Sequence, residues 1–472
     1  MLLVSPASTL NSASSGRLIA FAAMAVFLAA MIGILLRPLG YLSIFWPANQ
    51  LLLVMLLRYP RQLLQPIALL VIFCSYVVAD MITGSQLWIT VGFTAANMLG
   101  ACSAWWLLRR QSTHNLQMEG QYSALLVFYA SGVASLVSSV IGAPISSYAF
   151  DVPIAKALLM WGTGEWMNAM ILLPFFLALP TAHSNRFSWS SEHLPALVLP
   201  ALAVVLLEAA SYTVGSKVGS LAFSLPALLW CALTYPILVT AIITMLVFAT
   251  KIIIASAGFM DFTPEHYGDA ATLRLGITML ILGPLSVAGA HAARSELLKR
   301  LRHQANHDGL TDVLSRNGFV QTSTTVLKRL AYDRSPVAVL MLDLDHFKRV
   351  NDSFGHASGD QLLRDFTATL TQALRPQDVL GRIGGEEFAV VLPQISATDT
   401  ATIAERLCHA VRNTTYQTAQ LQPMRATVSI GVAYITHLDE RDSIETLLRD
   451  ADAALYQAKA QGRDRVVLGP KR

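Results

Sequence analysis

The sequence predicts a polytopic α-helical membrane domain followed by an α/β domain with a largely antiparallel sheet flanked by helices. Hydrophobic residues make up 54% of the 472 positions and charged residues only 14%, a balance too apolar for an ordinary soluble protein. Charged residues are few up to about residue 293 and frequent from Arg294 onward, where helical and strand-like patterns alternate. We therefore expect a membrane domain at 1–293, a signalling linker helix at 294–306 and a soluble domain at 307–472.

Net charge and cysteine spacing argue against two other classes of protein. The formal net charge of +4 is modest and reflects mainly loop Arg and Lys of a membrane protein, so we expect no nucleic-acid partner. The four cysteines show no spacing typical of a disulfide framework or a zinc site.

The apolar runs of the first domain are numerous enough for about ten transmembrane helices. A helix needs roughly 20 apolar residues to cross the hydrocarbon core of a bilayer. The long run Leu221–Ala255 exceeds one crossing and is divided at Tyr235-Pro236. The other runs begin near residues 18, 41, 63, 88, 122, 153, 193 and 273.

Loop charges indicate which side of the membrane carries the two termini. Ten spans place both termini on the same side, and basic residues favour the cytoplasmic side. Lys217 and Lys251 near the opposite side weaken this count, whereas the acidic loop Asp261–Asp269 there supports it. The basic residues on the side of the termini are Arg58, Arg61, Arg109, Arg110, Arg186 and Arg294.

Several polar residues lie inside these apolar runs, where an ionisable group is costly and usually faces a partner or a cavity. They fit a ligand or signal site, and they equally fit hydrogen bonds between helices or positions near the membrane interface. Glu165, within Met160–Asn168, is the most suggestive. The set is Asn49, Asp80, Asn97, Glu165, Asn168 and Glu208.

The linker Arg294–Ala305 carries Leu298, Leu301 and Ala305 at a spacing of three and four residues. This pattern fits a short coiled-coil seam or a plain amphipathic helix. In either case a helix here would pass movements of the membrane domain to the domain that follows.

The soluble domain alternates helices with strands. Pro336–Asp345 is an apolar run that ends in two carboxylates, which predicts a buried central strand with acidic residues at its carboxyl end. Asp360–Leu374 has apolar residues on one face, as expected for an amphipathic helix. Further strands are predicted at 379–383, 388–392, 426–434 and 464–468, and further helices from about 307 to 331 and at 399–413 and 443–461.

Arg382–Leu392 predicts a hairpin with an acidic tip. Gly384 and Gly385 can take the positive φ angles that a tight turn needs, and without a Cβ they let a ligand approach the backbone closely. Glu386 and Glu387 then lie side by side and repel each other unless a cation neutralises them. Alone, the hairpin fits a metal site or an exposed acidic turn.

The carboxylates at the end of the preceding strand favour the metal site. Asp343 and Asp345 leave one strand while Glu386 and Glu387 leave the neighbouring hairpin, so we expect four carboxylates to converge at one sheet edge. Concentrating this much negative charge is unfavourable without a divalent ion. Oxygen ligands fit Mg²⁺, or Mn²⁺ in its place, and Mg²⁺ usually shares its shell with substrate phosphates.

The motifs of residues 307–470 closely resemble the GGDEF family of diguanylate cyclases. The matching segments are Asp343–Asn351, Gly355-His356, Gly359-Asp360 and Gly384–Phe388, with Lys459 and Arg463. This resemblance implies a palm-like fold that condenses two GTP into cyclic di-GMP and two pyrophosphates. It further implies metal ligation by Asp343, the Leu344 carbonyl and Glu386, guanine recognition by Asn351 and Asp360, and phosphate binding by Lys348, Lys459 and Arg463.

Physical arguments support these implied roles. An Asp carboxylate accepts hydrogen bonds from N1–H and the exocyclic amine of guanine, a pair of donors that adenine lacks, so Asp360 selects guanine. Glu387 fits either a base for the 3′-hydroxyl or a ligand of a second metal. Lys348 alone would be typical of a solvated surface, and only its place in the motif gives it a role.

The resemblance also implies regulation and assembly. Arg375–Asp378 matches the family's RxxD product-inhibition motif, with Arg406 as a second contact, although RxxD alone also fits a salt bridge at a helix end. Each domain holds one GTP and the product joins two, so we expect a homodimer through the soluble domain and the linker helix. Asp312, Ser315 and Asn317 depart from the family pattern, which more often has Gly, Asn and Arg there, and they bear on the coupling of the linker.

Residues 15–293 resemble the first type of membrane-associated sensor domain of bacterial signalling proteins. The resemblance is carried by Phe45–Gln50, Asn97–Gly100, Trp105–Arg110 and Trp161–Asn168. It implies an input module in the bacterial inner membrane, in contact with lipid and with the catalytic domain in the cytoplasm.

Three alternatives are weighed against this interpretation. A non-enzymatic cyclic di-GMP receptor would keep RxxD, but the intact Asp343, Glu386 and Glu387 argue against lost catalysis. A cyclase that uses ATP is disfavoured by Asp360. A transporter with a soluble appendage is permitted by the polar intramembrane residues but not required by them.

Overall fold

The computed structural model describes residues 12–35, 45–180, 194–214, 218–256, 267–439 and 442–470. The chain forms two compact units that divide between Glu296 and Leu297, and each is described by itself. Arg186, Lys217 and residues 261–266 of the acidic loop, which entered the argument on membrane orientation, lie outside the described residues.

The first unit is helical, and within the described residues at least one helix lies in each predicted apolar run. By length and composition, five of its described helices are able to cross a membrane: 15–35, 87–108, 123–150, 237–255 and 270–306. The predicted number of ten spans stays a prediction. The helices are α1 (Ser12–Leu35), α2 (Ala48–Arg58), α3 (Pro60–Leu63), α4 (Pro66–Ile82), α5 (Leu87–Leu108), α6 (Thr113–Leu116), α7 (Ser123–Phe150), α8 (Ile154–Ala178), α9 (Leu194–Val214), α10 (Leu225–Thr234), α11 (Ile237–Ser256) and α12 (Tyr267–Asn306).

A buried ion pair joins α9 to α11. Lys251 is only 1% exposed, and its Nζ lies 2.9 Å from Oε2 of Glu208. The same Nζ donates a hydrogen bond to the carbonyl of Ser220 at 3.2 Å. Glu208 therefore forms a contact between two helices. Removing either partner of this pair would leave an uncompensated buried charge.

The second unit is an α/β domain whose five-stranded sheet has the order β2-β3-β1-β6-β7. The central strand β1 is antiparallel to β3 and β6, and only β7 is parallel to its neighbour β6. This confirms the predicted largely antiparallel sheet. The strands are β1 (Val337–Leu344), β2 (Val379–Gly384), β3 (Glu387–Pro393), β4 (Tyr416–Gln417), β5 (Pro423–Met424), β6 (Val428–Ile435) and β7 (Val466–Leu468), and the helices are α13 (Arg316–Tyr332), α14 (Phe347–Phe354), α15 (His356–Ala373), α16 (Ala397–Asn413) and α17 (Ile444–Ala460).

Helices cover both faces of the sheet because β1 is apolar on both faces. Alternate β1 residues such as Leu340 and Leu342 pack into a core with Phe366 of α15. The intervening residues, such as Val339, pack into a second core with Leu455 of α17. A central strand buried on both sides holds the residues at its carboxyl end in fixed positions.

The end of α12 is tied to the start of α13. The backbone amide of Ser315 donates to the Asn306 carbonyl at 2.7 Å, and Ser315 Oγ donates to the Ala305 carbonyl at 3.0 Å. A Cβ at Gly318 would collide with the Asn306 carbonyl, so the glycine permits this close approach. Ser315 thus anchors the linker although the family more often has Asn here.

Asp312 has a φ of +59°, a conformation that glycine adopts more easily than other residues. This explains why the family more often has glycine at this position. Its Oδ1 lies 3.0 Å from Nε2 of His303, and its carbonyl lies 2.8 Å from Nδ1 of His307. Contacts with His303 in the last turn of α12 and with His307 just after it therefore hold an aspartate in a backbone conformation that suits glycine.

Candidate active site

Asp343 lies at the carboxyl end of the central strand, paired with Glu387 of β3 on one side and Ser429 of β6 on the other. Its side chain is buried, and its Oδ2 forms an ion pair with Nζ of Lys459 at 2.8 Å. Burial raises the pKa of Asp343, and the positive charges of Lys459 and Arg463 only partly offset this rise. The sheet edge therefore holds a desolvated carboxylate that needs a cation beside it.

The hairpin between β2 and β3 brings Glu386 to this carboxylate. The Leu344 amide donates to the Glu386 carbonyl at 3.3 Å, which fixes the hairpin against the end of β1. Burial raises the pKa of Glu386, and so do the negative charges of Asp343 and Glu387. Three carboxylates therefore share one electrostatic environment, as a divalent cation site requires.

Of the two hairpin glycines that can take a positive φ, Gly384 does not do so. Strand β2 extends through Gly384, which pairs with Glu387 after a register shift that follows Arg382. Only Gly385 of the two has a positive φ, +39°. Because pairing continues to Gly384, one left-handed residue is enough to reverse the chain.

Asp345 lies close enough to Asp343 for its negative charge to raise the pKa of that carboxyl, but its own carboxylate already has partners within the protein. Its carboxylate accepts hydrogen bonds from Thr427 Oγ1 at 2.8 Å, Ser429 Oγ at 2.7 Å and the Asp464 amide at 3.0 Å. These donors come from β6, from the segment before it and from the segment that leads into β7. Asp345 therefore fastens the sheet together, and its oxygen atoms are committed to these donors.

The remaining donor set fits a small divalent cation. Asp343 and Glu386 supply carboxylate oxygens. Leu344 follows Asp343 as the last residue of β1, and its amide donates a hydrogen bond to the Glu386 carbonyl. Ligands of this kind suit Mg²⁺ or Mn²⁺ and not a metal that prefers sulfur. The ammonium group of Lys459 provides the positive charge beside Asp343 in this structure.

Sequence reasoning missed the role of Arg382 in holding the hairpin. Its Nε and Nη2 donate to the Gly385 carbonyl at 2.9 and 2.7 Å, and its Nη1 donates to Oδ1 of Asp308 at 2.9 Å. Burial would raise the pKa of Asp308, but hydrogen bonds from Thr311 and Arg382 hold it below the ordinary value. Arg382 thus connects the segment after α12 to the turn that carries Glu386.

Arg382→Ala is expected to lower cyclase activity by about 10–100-fold, because a turn that moves by about an ångström misplaces Glu386. Initial rates of cyclic di-GMP formation by the purified full-length protein measure this effect. Arg364→Ala is a matched control, because Arg364 is exposed on α15 and bonds only to Gln361 among the described residues. Equal rates for the two variants would contradict this role.

The proposed guanine-binding residues Asn351 and Asp360 lie next to each other at the junction of α14 and α15. A Cβ at Gly359 would collide with Oδ1 of Asn351, so glycine lets the Asn351 side chain reach the first turn of α15. The two helices meet at Gly355, whose φ is +78°. Buried Phe347 anchors α14 beneath this junction. The half-buried amide of Asn351 therefore lies against Gly359, the residue before the exposed Asp360.

The three proposed phosphate-binding residues are placed differently. Lys459 lies in the last turn of α17 and contacts Asp343, as described above. Arg463 follows that helix with a φ of +63° and acts electrostatically on the same carboxylate. Lys348 is exposed in the first turn of α14 and forms no hydrogen bond or ion pair with any described residue.

The RxxD residues form a turn after α15. The Asp378 carboxylate accepts from the backbone amide of Arg375 at 2.8 Å, so Asp378 caps this turn and the Arg375 side chain stays exposed. Burial raises the pKa of Asp378, whereas the charges of Arg375 and Arg406 lower it. Arg406 of α16 also donates to the Ala373 carbonyl at 2.6 Å. The three side chains therefore lie in one exposed region.

Comparison with protein families gives two matches that together span most of the chain. The family model described as "Diguanylate cyclase, GGDEF domain" matches residues 305–465, and the MASE1 model matches residues 17–296. The two segments meet near the end of α12.

Individual proteins match the chain over both regions or over the second alone. The probable diguanylate cyclase DgcF of Escherichia coli O157:H7 is 30% identical over 443 residues, which cover 92% of this chain and 91% of that protein. The response regulator PleD of Caulobacter vibrioides is 34% identical over 209 residues, 41% of this chain and 46% of its own length. A solved structure of the coiled coil and GGDEF domain of DgcB from Caulobacter crescentus, in complex with c-di-GMP, matches 37% of this chain and 92% of that chain, with 30% identity and a TM-score of 0.35.

Proposed function

Since the chain belongs to the GGDEF family of diguanylate cyclases and carries a MASE1 membrane-associated sensor domain, we propose that it condenses two GTP into cyclic di-GMP and two pyrophosphates under control of a membrane signal. The observation that carries this proposal is the cluster of Asp343, Glu386 and Glu387 beside Lys459. The adjacent Asn351 and Asp360 supply groups that suit guanine.

Asp343, the Leu344 carbonyl and Glu386 would hold Mg²⁺ or Mn²⁺. When bound, the ion would polarise the α-phosphate and stabilise the negative charge that develops on pyrophosphate. Lys459, which neutralises Asp343 in the structure, would bind phosphate together with Arg463 and Lys348. Glu387 lies across the strand pair from Asp343, where it would take the proton of the 3′-hydroxyl or bind a second ion.

Asp360 and Asn351 would select the base. The Asp360 carboxylate accepts from N1–H and the exocyclic amine of guanine, and adenine offers no such pair of donors. A site built for these hydrogen bonds strongly rejects a base that cannot form them.

Cyclic di-GMP contains two nucleotides, and each domain would bind one, so two chains must face each other. We infer a homodimer through the catalytic domain and the linker helix. The membrane domain would control the placement of the two catalytic domains through α12, which ends at Asn306. The protein would lie in the bacterial inner membrane, in contact with lipid, with the catalytic domain in the cytoplasm.

Incubation of the purified full-length protein with Mg²⁺ and either GTP or ATP, followed by identification of the products, tests this function. We expect cyclic di-GMP and pyrophosphate from GTP and no cyclic dinucleotide from ATP. Binding of cyclic di-GMP without any turnover would instead support a receptor, and equal use of ATP would contradict the role of Asp360.

Product feedback is expected at the exposed region formed by Arg375, Asp378 and Arg406. Arg binds guanine O6 and N7 through two parallel hydrogen bonds, and Asp accepts from its N1–H edge. Arg375→Ala should raise the inhibition constant of cyclic di-GMP by about 10–100-fold, the value of a lost charged hydrogen bond.

The initial rate of Arg375→Ala without product should stay unchanged. Progress curves with and without added cyclic di-GMP measure both quantities, and Arg364→Ala is the matched control. Unaltered inhibition in Arg375→Ala would contradict the assignment of this region to product binding.

A further inference from the structure

The membrane domain contains a cavity of about 70 Å³. It is lined by residues of α4, α5, α8 and α12, and by Trp46 just before α2. Four of the polar residues predicted to lie inside the membrane contribute to its wall: Asp80, Asn97, Glu165 and Asn168. A cavity needs only about 10–15 Å³ to hold one water, so this space admits several waters or a small ligand.

Hydrogen-bond acceptors collect at the Glu165 end of the cavity. Asn49 Nδ2 donates to Glu165 Oε2 at 3.0 Å and to Asn97 Oδ1 at 3.1 Å, and Asn49 Oδ1 accepts from the Tyr76 hydroxyl at 2.9 Å. Asn49 is the only hydrogen-bond donor to the Glu165 side chain among the described residues. This end of the cavity therefore suits a ligand that donates hydrogen bonds and carries positive charge.

A second cavity of about 30 Å³ adjoins the same carboxylate, because Glu165 and Asn97 line both cavities. It is also lined by Gln50, which is only 3% exposed. Within the described part of the chain, Gln50 Oε1 accepts no hydrogen bond. A buried acceptor without a donor costs free energy, so a water or a ligand that donates a hydrogen bond to Gln50 would stabilise this second cavity.

Arg274 places a positive charge at the same cavity. Its Nη1 donates to the Met160 carbonyl at 2.7 Å, and a Cβ at Gly164 would lie 3.3 Å from that atom, so the glycine makes room for the guanidinium group. No ion pair within 4.0 Å joins Glu165 to Arg274 among the described residues. Opposite charges in an apolar domain gain from meeting, so a cavity that holds them apart suits a ligand that contacts both.

Aromatic rings line the space around these charges. Trp46, Phe93 and Trp161 all contribute to the wall, and the rings of Phe93 and Trp161 pack with centroids 4.9 Å apart. The faces of such rings attract an ammonium group, more strongly where water is excluded. A ligand that carries both an ammonium group and a carboxylate would give Glu165 and Arg274 each a partner of opposite charge, and Asp80 adds a second acidic side chain to the wall.

We propose that this cavity binds a small zwitterion of the α-amino acid class, with its ammonium group at Glu165 and its carboxylate at Arg274. The effect of such a ligand on the cyclase rests on the proposed sensor function. Arg274 belongs to α12, so occupation of the cavity would act on the helix that ends at Asn306. Binding itself does not depend on cyclase turnover.

The test uses the full-length protein in lipid nanodiscs without nucleotide. The standard L-α-amino acids are screened one at a time, and binding is followed by the melting temperature and by the fluorescence of the tryptophans at the cavity. We expect at least one amino acid to raise Tm by about 2–4 °C in a saturable manner. If none of them changes Tm or the fluorescence, the proposal is overturned.

Analogues of the amino acid that binds test both charges on the unaltered protein. The amine that lacks the carboxylate and the acid that lacks the ammonium group should each bind at least about tenfold more weakly. An analogue that binds as tightly as the parent amino acid would overturn the proposal.

Two variants test the residues. Glu165→Gln keeps an acceptor for Asn49, and with Arg274→Gln it should weaken binding by about 10–100-fold. Arg58→Gln is the matched control, because Arg58 donates to the carbonyls of Phe176 and Leu179 outside the cavity, and it should leave affinity unchanged. Unchanged affinity in Glu165→Gln or Arg274→Gln would overturn the proposal. Cyclase assays on the same discs test the proposed function separately, since binding is scored without GTP.

Discussion

Asp343→Asn is expected to lower the rate of cyclic di-GMP formation by about a thousandfold, because it removes a charged ligand of the proposed metal ion. It should not lower the melting temperature of the catalytic domain. Burial raises the pKa of Asp343, so the folded protein disfavours the charged form relative to the unfolded chain, and a neutral amide removes that cost.

Asp345→Asn is the matched control, with the opposite expected outcome for stability. An amide cannot accept all three hydrogen bonds that the Asp345 carboxylate accepts, and a buried donor left unsatisfied costs about 1–3 kcal/mol. Each kcal/mol corresponds to about 2–4 °C in Tm for a domain of this size. Scanning calorimetry and initial rates on both variants separate the two roles. A fully active Asp343→Asn would contradict the proposed metal site.

Asp360→Ala is expected to raise the KM for GTP by about 100-fold and to reduce the preference for GTP over ATP. The reason is that the carboxylate would lose its two hydrogen bonds to guanine, each strengthened by its charge. Competition assays with both nucleotides measure the preference. Asp452→Ala, at an exposed position of α17, is the control and should behave as the unaltered protein. An unchanged preference in Asp360→Ala would sink the guanine assignment.

Hydrophobic periodicity predicted most of the architecture of the catalytic domain, although the helix expected from about residue 307 begins only at Arg316. The run before Asp343 is apolar at every position, and such a run fits a strand only if helices cover both faces of the sheet, as the structure shows. The helix α15 starts at His356 and ends at Ala373, within a few residues of the predicted Asp360–Leu374. These features depend on local pattern and so are visible in a single sequence.

The sequence alone could not predict which residues distant in the chain become side-chain partners. Asp345 follows Asp343 with strand-like spacing and looks equally acidic, yet its three donors come from residues 82, 84 and 119 positions later. Arg382 was visible only as part of a motif, because its partner Asp308 lies 74 residues earlier. The positive φ of Asp312 likewise depends on contacts with His303 and His307, which no propensity records.

In the membrane domain, composition indicated which residues were unusual but not how they pair. Glu208 and Glu165 looked alike in the sequence, as carboxylates in apolar runs. The structure pairs Glu208 with Lys251, whereas Glu165 faces a cavity that it shares with Arg274. One carboxylate therefore serves contacts between helices, and the other carries the proposed ligand site.

The most direct test of the account compares nanodiscs that hold one copy of the full-length protein with nanodiscs that hold two, at equal total protein, Mg²⁺ and GTP. The hairpin at Glu386 is half of the proposed active site, because each catalytic domain would bind a single GTP. We therefore predict cyclic di-GMP formation in the two-copy discs and at most a few per cent of that rate per chain in the single-copy discs. Equal rates per chain in the two preparations would contradict the account.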